Sequence, residues 1–171
     1  KAKNSCHNFY YIKTEKRVEA FLSQINKNDG LDKINGLLIP SVKDLMSSLE
    51  KDFLTNECFS NFHGDFILDN ILVTPNGFKL IDWRQDFDGC VEYGDVYYDL
   101  AKLNHNLFFN HSNIQAGLYE ILETDDCITV DLKTNYRLVV VKQKFDEWCI
   151  EKGFDIKKIN VLTSIIWINM A

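Results

Sequence analysis

Apolar positions recur on a helical period through much of this chain. Val18, Phe21, Leu22 and Ile25 fall at i, i+3, i+4 and i+7 in a helix that starts at Thr14, with Gly30 just beyond as a stop. Ser41 can cap a second helix, ending near Asn56, in which Val42, Leu45, Met46, Leu49 and Phe53 share one face. Both stripes are expected to pack into a core. Gly36-Leu37-Leu38-Ile39-Pro40 reads as a short apolar connector, and Phe9 to Ile12 is an apolar patch without a clear period.

The period then changes. Ile71-Leu72-Val73, Thr74-Pro75-Asn76-Gly77 and Phe78-Lys79-Leu80-Ile81 read as strand, turn, strand, with Asn76 and Gly77 both tolerant of positive φ. An irregular acidic stretch runs from Trp83 to Asp95. Val96 to roughly Phe108 is helical, with Leu100, Leu103 and Leu107 on one side. The alternation of Ile128, Val130 and Leu132, with a turn at Asp125-Asp126, favours a second hairpin over residues 119–132. Two helices follow, about Asn135–Lys152 and Ile156–Ala171, separated by Gly153. The expected fold is α+β, mainly helical with small β-hairpins, in a single domain over residues 1–171.

Composition narrows the class. A chain of 171 residues with 46% hydrophobic and 13% aromatic content can bury a core of its own. A net charge of −6 argues against a nucleic-acid partner, which calls for a basic face. The five cysteines are odd in number and scattered, so reduced and mostly buried thiols in a cytoplasmic protein are expected. No stretch of the sequence reads as a signal peptide, and none is expected. Val161 to Ala171 is broken by Thr163, Ser164 and Asn169 and is too short to span a bilayer. The chain opens on Lys1 without an initiator methionine and stops inside that apolar stretch, and so reads as an excerpt of a larger protein.

The chemistry concentrates between His63 and Trp83. Asp65 is a candidate for accepting a hydroxyl proton. Asn70 and Asp82 form a hard-oxygen pair suited to Mg²⁺ rather than zinc, and the hairpin between them folds the chain so that Asp82 returns to Asn70. His63 could ligate a metal, but bracing the loop is favoured because no further His or Cys ligands are near. Arg84 could stabilise a transferring phosphate or pair with Asp86 at the surface, the second being favoured. Asp86, Asp88, Glu92 and Asp95 could bind a cationic acceptor, or form a solvated loop with one buried brace. Trp83, Tyr93, Tyr97 and Tyr98 could cage a quaternary ammonium, or simply pack.

Three ordered segments carry a resemblance. His63-Gly64-Asp65 with Asn70, then Ile81-Asp82-Trp83, then Gly94-Asp95-Val96-Tyr97-Tyr98-Asp99-Leu100-Ala101 resemble the H-G-D-x-x-x-x-N, I-D-W/F and G-D-x-x-x-D-L-A segments of the aminoglycoside phosphotransferase and choline kinase-like superfamily. These are small-molecule kinases with a protein-kinase-like fold, and the resemblance is close over about residues 60–103. It implies Asp65 as catalytic base or hydroxyl-orienting carboxylate, with His63 beside it in a structural role. It implies Asn70 and Asp82 as Mg²⁺ ligands under ATP or GTP, and Asp99 as a brace beneath the catalytic loop. Gly64 stands where protein kinases carry arginine, which argues for a small-molecule acceptor. No glycine-rich strand with a phosphate-binding lysine is found in the first 62 residues. The chain is therefore expected to be the large C-terminal lobe, lacking the nucleotide-gripping lobe and of little activity alone. The expected reaction passes the γ-phosphate to a hydroxyl of choline, ethanolamine, an aminosugar or another sugar. The rival readings are a non-catalytic, pseudokinase-like binding module and, disfavoured by Gly64 and the short segment between Asp82 and Asp95, a protein kinase.

Overall fold

Residues 2–30, 32–56 and 58–170 are described by the structure, a computed structural model. The helices are α1 (Ala2–His7), α2 (Lys13–Gln24), α3 (Val42–Ser48), α4 (Lys51–Thr55), α5 (Val96–Phe108), α6 (His111–Gln115), α7 (Tyr136–Glu151) and α8 (Ile156–Ile168). The strands are β1 (Asp32–Ile34), β2 (Leu37–Ile39), β3 (Phe59–Ser60), β4 (Ile71–Thr74), β5 (Gly77–Leu80), β6 (Gly94–Asp95), β7 (Tyr119–Glu123) and β8 (Ile128–Leu132). The fold is α+β and mainly helical.

A π-helical turn, Asn8–Ile12, joins α1 to α2 without a break in helical backbone. Its wider winding brings three successive aromatics, Phe9, Tyr10 and Tyr11, into the core together, which no regular 3.6-residue stripe would do. That explains why the sequence patch shows no period. The stripe expected to continue the core along α2 does not: Phe21 and Ile25 are 37% and 41% exposed. Only the first turn of α2 meets the core, at Thr14, while Val18 and Leu22 face a recess shared with Val42 and Met46.

The helix expected from Ser41 to Asn56 is two helices. Ser41 does cap the first, its hydroxyl accepting from the Asp44 amide. Leu49 and Glu50 then turn extended, at ψ 130° and 113°. The break lets Met46 and Leu54 both be buried while Leu45 is left exposed. The apolar connector is strand β2, paired antiparallel with β1, and β1 runs parallel to β8 in a four-stranded sheet of order β2-β1-β8-β7. The expected hairpin over residues 119–132 forms as β7 and β8. Helix α6, capped by Asn110, has no counterpart in the sequence reading.

The core lies around α5 and α8. One apolar cluster joins the N-terminal aromatics to Phe62, Phe87, Ala101, Leu162 and Ile166, and a second joins Leu100 and Leu107 to Phe145 and Ile159. Helices α7 and α8 start at the side-chain caps Asn135 and Asp155, with Gly153 at φ +79° between them. The expected helix end at Ala171 falls outside the described residues. Among the described residues no helix is long and apolar enough to cross a membrane.

One acidic residue of the 86–95 stretch is structural. Asp95 is fully buried, accepts from the Tyr10 hydroxyl at 2.9 Å and from the Cys58 and Tyr97 amides, and lies 3.5 Å from the Lys158 ammonium. Lys158 is itself buried, donates to the Asn56 carbonyl and sits over the Tyr97 ring. Burial, followed by the Asp95 charge, pushes the Tyr10 phenol well above its usual range. Asp95 ties the N-terminal helix to the core and is not available to an acceptor.

Candidate active site

Helix α5 is apolar on two sides, but Asp99, Lys102 and Asn106 follow one another at i, i+3 and i+7 along one polar stripe. All three reach the loop that begins at His63. The Asp99 carboxylate accepts from the His63 and Gly64 amides at 2.6 and 2.7 Å. Lys102 Nζ lies 2.6 Å from Asp65 Oδ1. Asn106 Oδ1 accepts from the Leu68 amide at 2.9 Å. Burial raises the Asp99 pKa, and the two backbone N–H bonds pull it back only in part. One helix therefore fixes the loop at its start, middle and end.

Within the loop, Asp65 and Asn70 are joined directly. Asn70 Nδ2 donates to the Asp65 carbonyl at 2.8 Å and to Asp65 Oδ2 at 3.2 Å. The two carboxylate oxygens of Asp65 thus face different partners, Oδ1 toward Lys102 and Oδ2 toward Asn70. His63 is buried, and its Nδ1 accepts from the Asp65 amide at 3.2 Å, which places the ring proton on Nε2. Its ring lies 4.7 Å from that of Trp83, and its carbonyl accepts from the Arg84 amide. These contacts make His63 a brace between the two halves of the site.

Gly64 has a local reason that the comparison with protein kinases does not supply. It sits at φ +79°, and an added Cβ would run into Arg84 and the Phe62 ring. The chain there has room only for glycine.

The hairpin of β4 and β5 brings Asp82 back to Asn70. Ile71 pairs with Leu80, and the Ile81 amide donates to the Asn70 carbonyl at 3.0 Å. The turn differs from expectation in detail: Thr74 pairs with Gly77, so Pro75 and Asn76 form the loop and only Gly77 takes positive φ. Asp82 itself stands at φ +59°, a strained region for an aspartate. Its carboxylate is exposed and has no hydrogen bond or ion pair among the described residues.

The donor set fits Mg²⁺. Asn70 spends its amide protons on Asp65, which leaves its Oδ1 free to act as a neutral oxygen ligand, and Asp82 adds a charged one. Among the described residues no three His, Cys, Asp or Glu side chains gather as a metal cluster, and Mg²⁺ under a nucleotide commonly takes only one or two protein ligands.

Other expected residues separate. Arg84 is not a surface partner of the Asp86 carboxylate: its Nε donates to the Asp86 carbonyl at 2.9 Å, and its guanidinium stands 5.0 Å from the centre of the Phe9 ring. Asp86 uses its own carboxylate to accept from the Gly89 amide. The four aromatics do not form a cage. Trp83 packs on His63, Tyr97 on Phe154 and Tyr98 on Phe9, while Tyr93 is half exposed beside Val91 and Cys90. Sequence reasoning missed Lys102, Lys13 and Arg17. The signal for Lys102 was its place three residues after Asp99 on a helix that was already recognised.

A model of the phosphotransferase enzyme family matches residues 4–134. No match was found among curated proteins or among solved structures. The matched span takes in the loop from His63, the hairpin, Asp82 and the polar stripe of α5, more than half of the chain. By that match the chain belongs to the phosphotransferase enzyme family, of the aminoglycoside phosphotransferase and choline kinase-like superfamily with its kinase-like fold.

Proposed function

We propose that this protein passes the γ-phosphate of ATP or GTP to a hydroxyl group of a small molecule. Asp65 orients the hydroxyl and takes up its proton as the acceptor oxygen bonds to phosphorus. The bond from the γ-phosphorus to the bridging oxygen breaks, and the nucleoside diphosphate leaves. Asn70 and Asp82 would hold Mg²⁺, which when bound neutralises charge on the phosphates. The observation that carries the reading is the carboxylate of Asp65, bonded through Oδ2 to Asn70 and set on a loop that Asp99 and Asn106 fix from below. Positioning supplies most of the catalysis in this chemistry, so a fixed loop matters more than a reactive one.

A non-catalytic binding module is the second reading, and one contact favours it. Lys102 occupies Asp65 Oδ1, which an acceptor hydroxyl would have to share. The test is transfer of labelled γ-phosphate from Mg-ATP and Mg-GTP to a panel of choline, ethanolamine, aminosugars, neutral sugars and hydroxy acids, using the full-length protein. Transfer to any one of them, lost in Asp65→Asn, supports the enzyme. Mg²⁺-dependent nucleotide binding with no transfer to any member supports the binding module.

A further inference from the structure

On the Lys102 side of Asp65 lies a cavity of about 120 Å³ with four cations in its wall: Lys13, Arg17, Arg84 and Lys102. Among the described residues none that lines it is acidic. They come from three separate parts of the chain, α2, the arm after Trp83, and α5, so their meeting is a property of the fold. Lys13 and Arg17 are one helical turn apart. Lys13 and Arg84 both stand over the Phe9 ring, at 4.2 and 5.0 Å from its centre. Arg17 is steadied by the Asn169 carbonyl at 3.0 Å.

The positive charges of Arg84, Arg17 and Lys102 all act on Lys13, so the cations share one electrostatic neighbourhood. Of the four, only Lys102 pairs with a carboxylate among the described residues. Asp86 accepts from Gly89 and Asp88 accepts from the Asn8 side chain, and the Asp86 charge offsets part of the crowding at Lys13 without an ion pair to it among the described residues. The crowding is visible at Lys13, whose pKa burial and then Arg84 and Arg17 pull down to about 8. Tyr98 also lines the cavity.

We infer that this cavity is an anion subsite, which receives a carboxylate or phosphate carried by the same small molecule whose hydroxyl meets Asp65. The assignment rests on the phosphotransferase reading and deepens it by naming the acceptor as an anionic hydroxy compound, in place of choline or an aminosugar. The split of the Asp65 carboxylate supplies the geometry: Oδ2 faces Asn70 and the nucleotide side, and Oδ1 faces Lys102 and the cavity. An anion seated there relieves the repulsion among the cations and leaves the rest of the acceptor beside Asp65. It also competes for the Lys102 ammonium, which frees Asp65 Oδ1 for the hydroxyl.

The test compares glycerol 3-phosphate, glycerate and choline as probes, by calorimetric titration of the full-length protein at low salt. The first two are expected to bind at least about ten-fold more tightly than choline, and the Lys13→Gln, Arg17→Gln double variant to lose at least about ten-fold of that affinity. The ratio between the two anions separates a phosphate seat from a carboxylate seat. Equal or tighter binding of choline, or affinity unmoved by the double variant, overturns the inference. So does competition between Mg-ATP and glycerol 3-phosphate, because the cations would then belong to the nucleotide phosphates. Circular dichroism and the melting temperature of the double variant exclude a folding defect. Asp65→Asn separates the two levels of the argument. Anion binding kept, with no Asp65-dependent transfer to any acceptor, leaves the subsite standing and sinks the phosphotransferase reading. Asp65-dependent transfer to neutral or cationic acceptors alone does the reverse.

Discussion

Residues 63–70 are fastened to α5 at three points, by Asp99, Lys102 and Asn106, and Asn70 is bonded back to Asp65. Residues 81–84 meet that loop through two backbone bonds, Ile81 to Asn70 and Arg84 to His63, and through the packing of Trp83 on His63. Asp99 is buried and doubly bonded, whereas Asp82 is exposed, unbonded among the described residues and held at positive φ. Both are aspartates with a part in one site, yet the first serves the fold and the second is kept free of it. The difference suits the proposed reading, in which Asp65 would orient the hydroxyl from a loop fixed in advance and Asp82 would be left unspent as a metal ligand.

The comparison breaks if the two aspartates respond alike to mutation. Asp99→Ala leaves two buried amides without acceptors and should lower the unfolding free energy by about 3–5 kcal/mol, read by urea denaturation. A loss under about 1 kcal/mol would mean that water replaces the carboxylate and that the loop is not held from below. Gly64→Ala tests the seam between the two regions. The new methyl meets Arg84 at a φ that alanine resists, so about 2–4 kcal/mol of stability should go, with the arm pushed off the loop.

Lys13 gives a pH signature on the far side of the site. Its folded pKa is depressed to about 8, so between that value and the ordinary lysine value the unfolded chain binds more protons. Stability from this group should therefore rise as pH climbs from about 8 toward 10.5, and Lys13→Gln should flatten that rise in pH-dependent melting. Asp82→Asn is the smallest effect on the fold: stability should stay within about 0.5 kcal/mol of the parent while Mg²⁺-dependent nucleotide binding weakens. A large loss of stability there would show that the arm depends on its carboxylate after all.

Much of this was legible in the sequence, for identifiable reasons. The hairpin before Asp82 and helix α5 follow from local signals, namely a turn and a helical period, while the place of Asp99 beneath the loop is what the family resemblance implied. The misses have a different origin. The π turn changes the period where Phe9, Tyr10 and Tyr11 are buried together, and the α2 stripe is apolar without finding a core to face. The parallel pairing of β1 with β8 joins segments too far apart for any local pattern to announce. The cation cavity is a tertiary event of the same kind. Lys13 and Arg17 carry no local signal in the sequence, and Arg84 looked like a partner for Asp86 because the two are neighbours in sequence. Only the fold turns Arg84 onto Phe9, beside Lys13.

The central claim is that Asp65 serves the acceptor hydroxyl from a loop that Asp99 and Asn106 hold from below. Turnover of Asp65→Asn with the best acceptor, measured beside nucleotide binding by the same protein, tests it directly. The account predicts a fall of about 10²–10⁴-fold in turnover, with Mg-nucleotide affinity unchanged. Turnover equal to that of the parent protein would contradict it.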